Sequence, residues 1–198
     1  MSLFIPTYFS PIAQYQEIIR ATEVAFEMED NFQKQSYRNR CYIYNTNGRQ
    51  LLNIPVKHPK TSFRKKTKDT LIENAQNWQD QHFKSLKTAY RNSPFFEFYV
   101  DDLIPIFEKK YKFLQDLNID TFLYIKDALQ LENKVVKTKA YATGSLSKDY
   151  RHLADAKKTP ARFYKPYTQM FDEKYGFIPN LSVLDLLFME GPNSISFL

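Results

Sequence analysis

The sequence predicts an α/β chain with a mixed sheet: a parallel βαβ unit first, then a β-hairpin, then flanking helices in the second half. Three observations carry this expectation. Two short apolar runs, Leu3-Phe4-Ile5 and Val24-Ala25-Phe26, enclose a stretch with helical spacing. Asn47-Gly48 lies between two β-forming runs, a strong short-range hairpin signal. Several later stretches place apolar residues three and four apart, as on the buried face of a helix.

Taken in order, Leu3-Phe4-Ile5 reads as a buried strand ended by Pro6. A loop through Thr7, Tyr8 and Ser10 follows. Pro11 suits the first turn of a helix that carries Ile12, Tyr15, Ile18 and Ile19 to about Ala21. Val24 to Met28 forms the second strand. Strand, helix and strand make one parallel, Rossmann-like unit, which places the Pro6–Pro11 loop and Asp30 at the same sheet edge. The hairpin then pairs Tyr42–Tyr44 with Leu51–Ile54. Residues 57–68 form a basic loop with no apolar period, and Thr70-Leu71-Ile72 reads as a short strand.

Asn77 caps a helix from Trp78 to about Tyr90, with Trp78, His82 and Leu86 on one face. Ser93-Pro94 opens a helical turn through Phe95, Phe96 and Tyr99. Asp101 or Asp102 caps a further helix with a stripe of Leu103, Phe107, Tyr111, Leu114 and Leu117, ending at Asn118. Thr121–Ile125 is expected as a strand, Leu131 to Lys139 as a helix and Tyr141–Thr143 as a strand that exits at Gly144-Ser145. A helix over Lys148–Leu153 and a strand at Arg162–Tyr164 follow. Ser182 and Asp185 resemble a capping box for the last helix, which Gly191-Pro192 stops. No repeat, low-complexity tract or Gly/Ser linker interrupts residues 1–198, so one domain is expected.

At 198 residues the chain is long enough to bury a sizeable core. One cysteine, Cys41, leaves no intrachain disulfide and suits a reducing cytoplasm. The opening residues are too short in apolar run for a signal peptide, and no run approaches the ~20 residues of a membrane span. Net charge is +6, yet residues 31–68 hold ten Lys or Arg and no Asp or Glu, leaving the remainder net negative. The basic character belongs to one segment, which points to a small anionic substrate or an activated donor there.

That segment supplies most of the candidate site. Lys34, Arg38, Asn39 and Arg40 fall within seven residues. On an extended backbone Arg38 and Arg40 point to one face, where two guanidinium forks suit a phosphate or carboxylate. Pairing of the hairpin brings Arg40 and Lys57 together, opposite the turn and beside Asp30. Asp30 is then the candidate base, with Arg40 and Lys57 holding an anion. Tyr8 lies in the loop at the same sheet edge. Gly144 and Ser145, at a strand exit before a helix, can offer backbone N–H groups to an anion, although one glycine is more simply a turn. His82 sits on an apolar face beside Trp78. It reads as a core histidine bonded to backbone or as a second candidate base. No second His or Cys stands at metal-ligand spacing, so no zinc site is expected, and the residues point to no particular cofactor.

A series of blocks in one order, PTYFSPIAQYQEIIRATEVAFEMEDNFQKQSYRNRCYI, NTNGRQLLNIPVK, WQDQHFK, YRNSPFF, YATGS and LSVLDLLFMEG, resembles the WbqC-like family of bacterial proteins. The resemblance implies a role in O-antigen or other surface-glycan biosynthesis, with acyl, aminoacyl (glycine) or sugar-modifying transfer as the activity. The chain departs from the family pattern at two places. Ile5-Pro6 stands where the family often has Gln-Pro, and Gln14 where it often has Gly at the helix entry. The βαβ layout is also similar to the first unit of nucleotidylyltransferases. Their paired-His motif is missing from Phe9–Tyr15, so that phosphate chemistry is not expected here.

Three functions follow for comparison. A transferase would use Asp30 or His82 as base, Arg38, Arg40, Lys34 and Lys57 for the anion, and Asn39 to orient the substrate. A nucleic-acid-binding module would use the acid-free segment with Tyr37, Tyr42, Tyr44 and Phe63 as stacking rings. A non-catalytic partner of a biosynthetic complex would instead show an exposed apolar patch.

Overall fold

A computed structural model describes residues 1–57, 65–143, 148–157 and 160–198. Strand β1 (Ser2–Phe4), helix α1 (Ile12–Ile18) and strand β2 (Glu23–Phe26) form the first unit. The two strands pair in parallel, Ser2 to Val24 through Phe4 to Phe26. Both strands are almost wholly buried, which is why they read as continuous apolar runs without alternation.

Strands β3 (Arg40–Asn45) and β4 (Gly48–Asn53) form an antiparallel hairpin in which Asn45 pairs with Gly48. The two turn residues are therefore Thr46 and Asn47, one earlier than Asn47-Gly48 suggests. Asn45 Oδ1 accepts the Asn47 amide at 2.8 Å, an Asx turn. Gly48 then takes φ +92°, a conformation that glycine adopts without strain.

Helices α2 (Trp78–Tyr90), α3 (Phe96–Glu108) and α4 (Leu114–Ala128) follow. Here the structure corrects two expectations. The stripe from Leu103 to Leu117 belongs to two helices, and Thr121–Ile125 is helix, not strand. The break falls where a tertiary ladder competes for backbone groups. Ile72 donates to the Lys112 carbonyl at 3.0 Å, and Leu114 donates to the Thr70 carbonyl at 2.9 Å. Residues 70–72 are thus a two-sided bridge, with Val56 on one side and Phe113 on the other. In α4 the short apolar run of 121–125 is one side of a buried helix, a distinction that periodicity over five residues cannot make. Phe122 packs edge-on against Phe26 of β2, with ring centroids 4.7 Å apart.

Strand β5 (Lys134–Lys137) replaces the helix expected over 131–139. Val135 and Val136 are β-branched and the edge of β2 is open to them, so β5 pairs in parallel and the sheet order is β1-β2-β5. Tyr141–Thr143 is irregular, and Gly144 and Ser145 lie outside the described residues. The helix expected over 148–153 is a single 3-10 turn at Arg151–Ala154, and Arg162–Tyr164 is not a strand. Asp149 instead bridges to Leu3, beside β1.

Helix α5 (Asp172–Tyr175) is one turn, and α6 (Val183–Glu190) runs into a 3-10 segment at Gly191–Phe197. Ser182 caps α6, accepting from Leu184 N. Asp185 does not complete a capping box. It is fully buried and accepts from Tyr90, Tyr167 and Gln169 at 2.6, 2.6 and 2.9 Å. Burial pushes its carboxyl pKa up, and the three donors pull it back.

Candidate functional site

The exits of β1 and β2 lie on one sheet edge, as expected of a parallel pair, but that edge is not a cleft. The start of α6 fills it. Val183 N donates to the Ser10 carbonyl at 3.0 Å, Ser182 Oγ to the Phe9 carbonyl at 2.9 Å, and Ala13 N to Asn180 Oδ1 at 2.9 Å. Gln14, one of the two departures from the family pattern, is buried and ties the loop from within. Its Nε2 donates to the Ile5 carbonyl at 3.0 Å and its Oε1 accepts from Thr7 at 3.2 Å. Ile5, the other departure, is in the core.

Tyr8 and His82 meet in that core rather than at a surface. Tyr8 Oη and His82 Nδ1 are 3.0 Å apart, beside Trp78. Burial holds the Tyr8 phenol well above its usual range. Burial also lowers the His82 pKa to about 4, against a smaller opposing effect of a backbone hydrogen bond to Asn53. At neutral pH this histidine is uncharged and sealed off from solvent, an arrangement that supports packing.

Asp30 and Arg38 are likewise internal. Asp30 Oδ2 accepts from Arg38 Nε at 2.7 Å and from Thr67 Oγ1 at 3.1 Å, and both charged side chains are less than a tenth exposed. Arg38 lies in a turn before β3, so the expected common face with Arg40 does not form. Asn118, mid-helix in α4 where the sequence suggested a helix end, donates to the carbonyls of Arg38 and Pro6. The ion pair thus locks the β2 exit to the start of the hairpin.

Outside that lock is an open groove of about 450 Å³. Lys34, Asn39 and Arg40 line it, together with Gln35, Asn53, Glu73 and Gln76. Three predicted binding residues therefore share one surface. Lys57 does not join them. It lines a separate cavity of about 320 Å³ with Lys110 and Lys112. The reason is the ladder at Val56: residue 56 bridges to Ile72, and the Lys57 amide donates to Leu71, so the strand turns away before residue 57.

The groove's polar floor is incompletely paired. Asn39 Nδ2 donates to Asn53 Oδ1 at 3.2 Å and to the Ile54 carbonyl at 3.1 Å. Its Oδ1 and Arg40 Nε are buried and have no hydrogen-bond partner among the described residues. Buried groups of this kind are costly unless something bonds to them. Glu73, which sequence reasoning missed, supplies a carboxylate on the facing segment and is fixed by the bond from its own amide to the Pro55 carbonyl. No local motif marks Glu73, because only the 54–56/71–73 ladder brings it to the groove.

Much of the basic segment's charge is already used. Lys66 and Lys68 pair with Glu29, which holds the Glu29 carboxyl below its ordinary range, and Arg49 lies 4.4 Å from the Tyr42 ring centroid. Among the described residues the segment is therefore not one continuous cationic face.

The family model for the WbqC-like protein family matches residues 6–165. The chain belongs to this family. A relative from Mycobacterium tuberculosis, named "Uncharacterized protein Rv1507c", is 27% identical over 96% of this chain and 91% of its own length. No solved structure matches. The WbqC-like match covers α1 and β2 of the βαβ unit, the hairpin, every residue of the groove and the Asp30–Arg38 pair; β1 lies just before it. Among the described residues, no helix is long and apolar enough to cross a membrane.

Proposed function

We propose that this WbqC-like protein is a transferase of surface-glycan biosynthesis, moving an acyl or aminoacyl group, or modifying a sugar, and that its anionic donor binds in the Arg40 groove. One observation carries the reading: Arg40, Lys34 and Asn39 converge there, and Arg40 Nε and Asn39 Oδ1 are buried with no partner among the described residues. Family membership supports the biological setting.

In this reading Arg40 and Lys34 neutralise a phosphate or carboxylate, with Arg40 supplying directed N–H donors. Asn39 Oδ1 accepts from a hydroxyl or amine of the substrate. Asp30 is committed to Arg38, so the base role passes to Glu73. It would take the proton from an acceptor hydroxyl or amine as that atom bonds to the transferred carbon and the donor's leaving group departs.

Binding is measured by calorimetry with inorganic pyrophosphate, UDP-glucose and acetyl-CoA as probes. At least one should bind, and Arg40→Ala should weaken it about tenfold or more, since a charge-assisted contact contributes roughly 1.5–3 kcal/mol. The melting temperature of the free protein should hardly change, because a partly exposed charge adds little stability. Absence of binding by all three probes, or equal binding by Arg40→Ala, overturns the assignment.

A further inference from the structure

We infer a second binding site, for a small organic cation, between α3, α4 and the 3-10 segment that follows α6. A cavity of about 620 Å³ opens there, roomier than the Arg40 groove and built from other elements. Each helix offers it an aromatic ring and a carboxylate on one face. On α3 these are Phe98 and Asp102, four residues apart; on α4 they are Tyr124 and Asp127, three apart. Tyr124 Oη donates to the Tyr99 carbonyl at 3.0 Å, which fixes the spacing of the two helices and so of the two acids.

The charge in this cavity is unbalanced. Its lining contains no Lys, Arg or His. Among the described residues neither Asp102 nor Asp127 takes part in an ion pair or accepts a side-chain hydrogen bond. Asp127 also sits in the last turn of α4, where the negative end of the helix dipole disfavours a carboxylate. A bound cation relieves both conditions.

The walls select the kind of cation. Phe98 is 72% exposed and packs edge-on against Tyr99 at 4.8 Å, so a ring face is available for a cation–π contact. Pro192, Ile195 and Leu129 add apolar surface. Aromatic and aliphatic walls with two separated carboxylates suit an alkylammonium group, which has apolar carbon to bury. A hydrated metal ion would require a tight set of oxygen ligands instead.

The test is calorimetric titration at constant ionic strength with choline and ethanolamine, beside 3,3-dimethylbutan-1-ol, the neutral isostere of choline. At least one cation should bind, and the neutral alcohol at least about tenfold more weakly. The double substitution Asp102→Asn/Asp127→Asn should weaken the cation about tenfold or more, and Phe98→Ala severalfold. These side chains are exposed, so unchanged melting temperatures should confirm that the variants fold. The site is overturned if neither cation binds, if the neutral isostere binds as well as choline, or if the doubly substituted protein binds like the parent.

Discussion

Lowering the pH should destabilise the protein through His82, by an amount that its burial sets. The folded protein holds this imidazole at a pKa of about 4, whereas an unfolded chain titrates it near 6.5. The unfolded state therefore binds a proton first as pH falls, and stability drops across the window between those two values. Above pH 6.5 both states are neutral and no loss occurs; below about 4 both are protonated and the loss is complete. Each pH unit inside the window costs about 1.4 kcal/mol, so His82 alone should remove about 2 kcal/mol at pH 5 relative to pH 7.5. Urea denaturation of the parent and of His82→Gln, measured at half-unit steps from pH 7.5 to 4.5, isolates this contribution from that of the carboxylates. The parent should lose stability more steeply than the variant, by up to about 1.4 kcal/mol per pH unit. Parallel pH profiles, or an NMR titration placing the folded His82 pKa near 6.5, would falsify the buried assignment and restore His82 as a candidate base.

Removing Arg38 should act on stability rather than on binding. Arg38→Ala leaves Asp30 buried without its charge partner, a change expected to cost about 3–5 kcal/mol by urea denaturation; a loss under 1 kcal/mol would mean that water reaches the pair. Tyr167→Phe deletes one of three donors to the fully buried Asp185, and a loss of about 1–3 kcal/mol is expected by thermal unfolding. The variant should lose most above the pKa of Asp185, where the carboxylate is charged, so a pH-independent effect counts against the network. Gly191→Ala should also destabilise. Gly191 has φ +51°, and a β-carbon there would lie 2.5 Å from the Phe95 ring, so an unchanged melting temperature would show that the ring yields freely.

The sequence by itself determined the features that local chemistry decides. The βαβ start follows from two apolar runs around a 3.6-residue period, and the hairpin from β-forming residues around Asn47-Gly48. The groove's three predicted residues, Lys34, Asn39 and Arg40, were visible because they crowd into one acid-free segment. Tertiary structure decided the rest. The run at 121–125 fits strand and helix equally well until α4 meets Phe26, and Val135-Val136 becomes strand only because the edge of β2 is free. Charge in a sequence reads as exposed, yet Arg38 is buried: its guanidinium pairs with Asp30, Thr67 donates to that same carboxylate, and Asn118 holds the Arg38 carbonyl, three partners from three separate segments. Glu73 reaches the groove, and Lys57 leaves it, through a ladder whose partners are some fifteen residues apart. Such contacts join residues that no local period or motif relates, and burial, which decides whether an ionisable side chain supports the fold or is left to meet a ligand, exists only once they have formed.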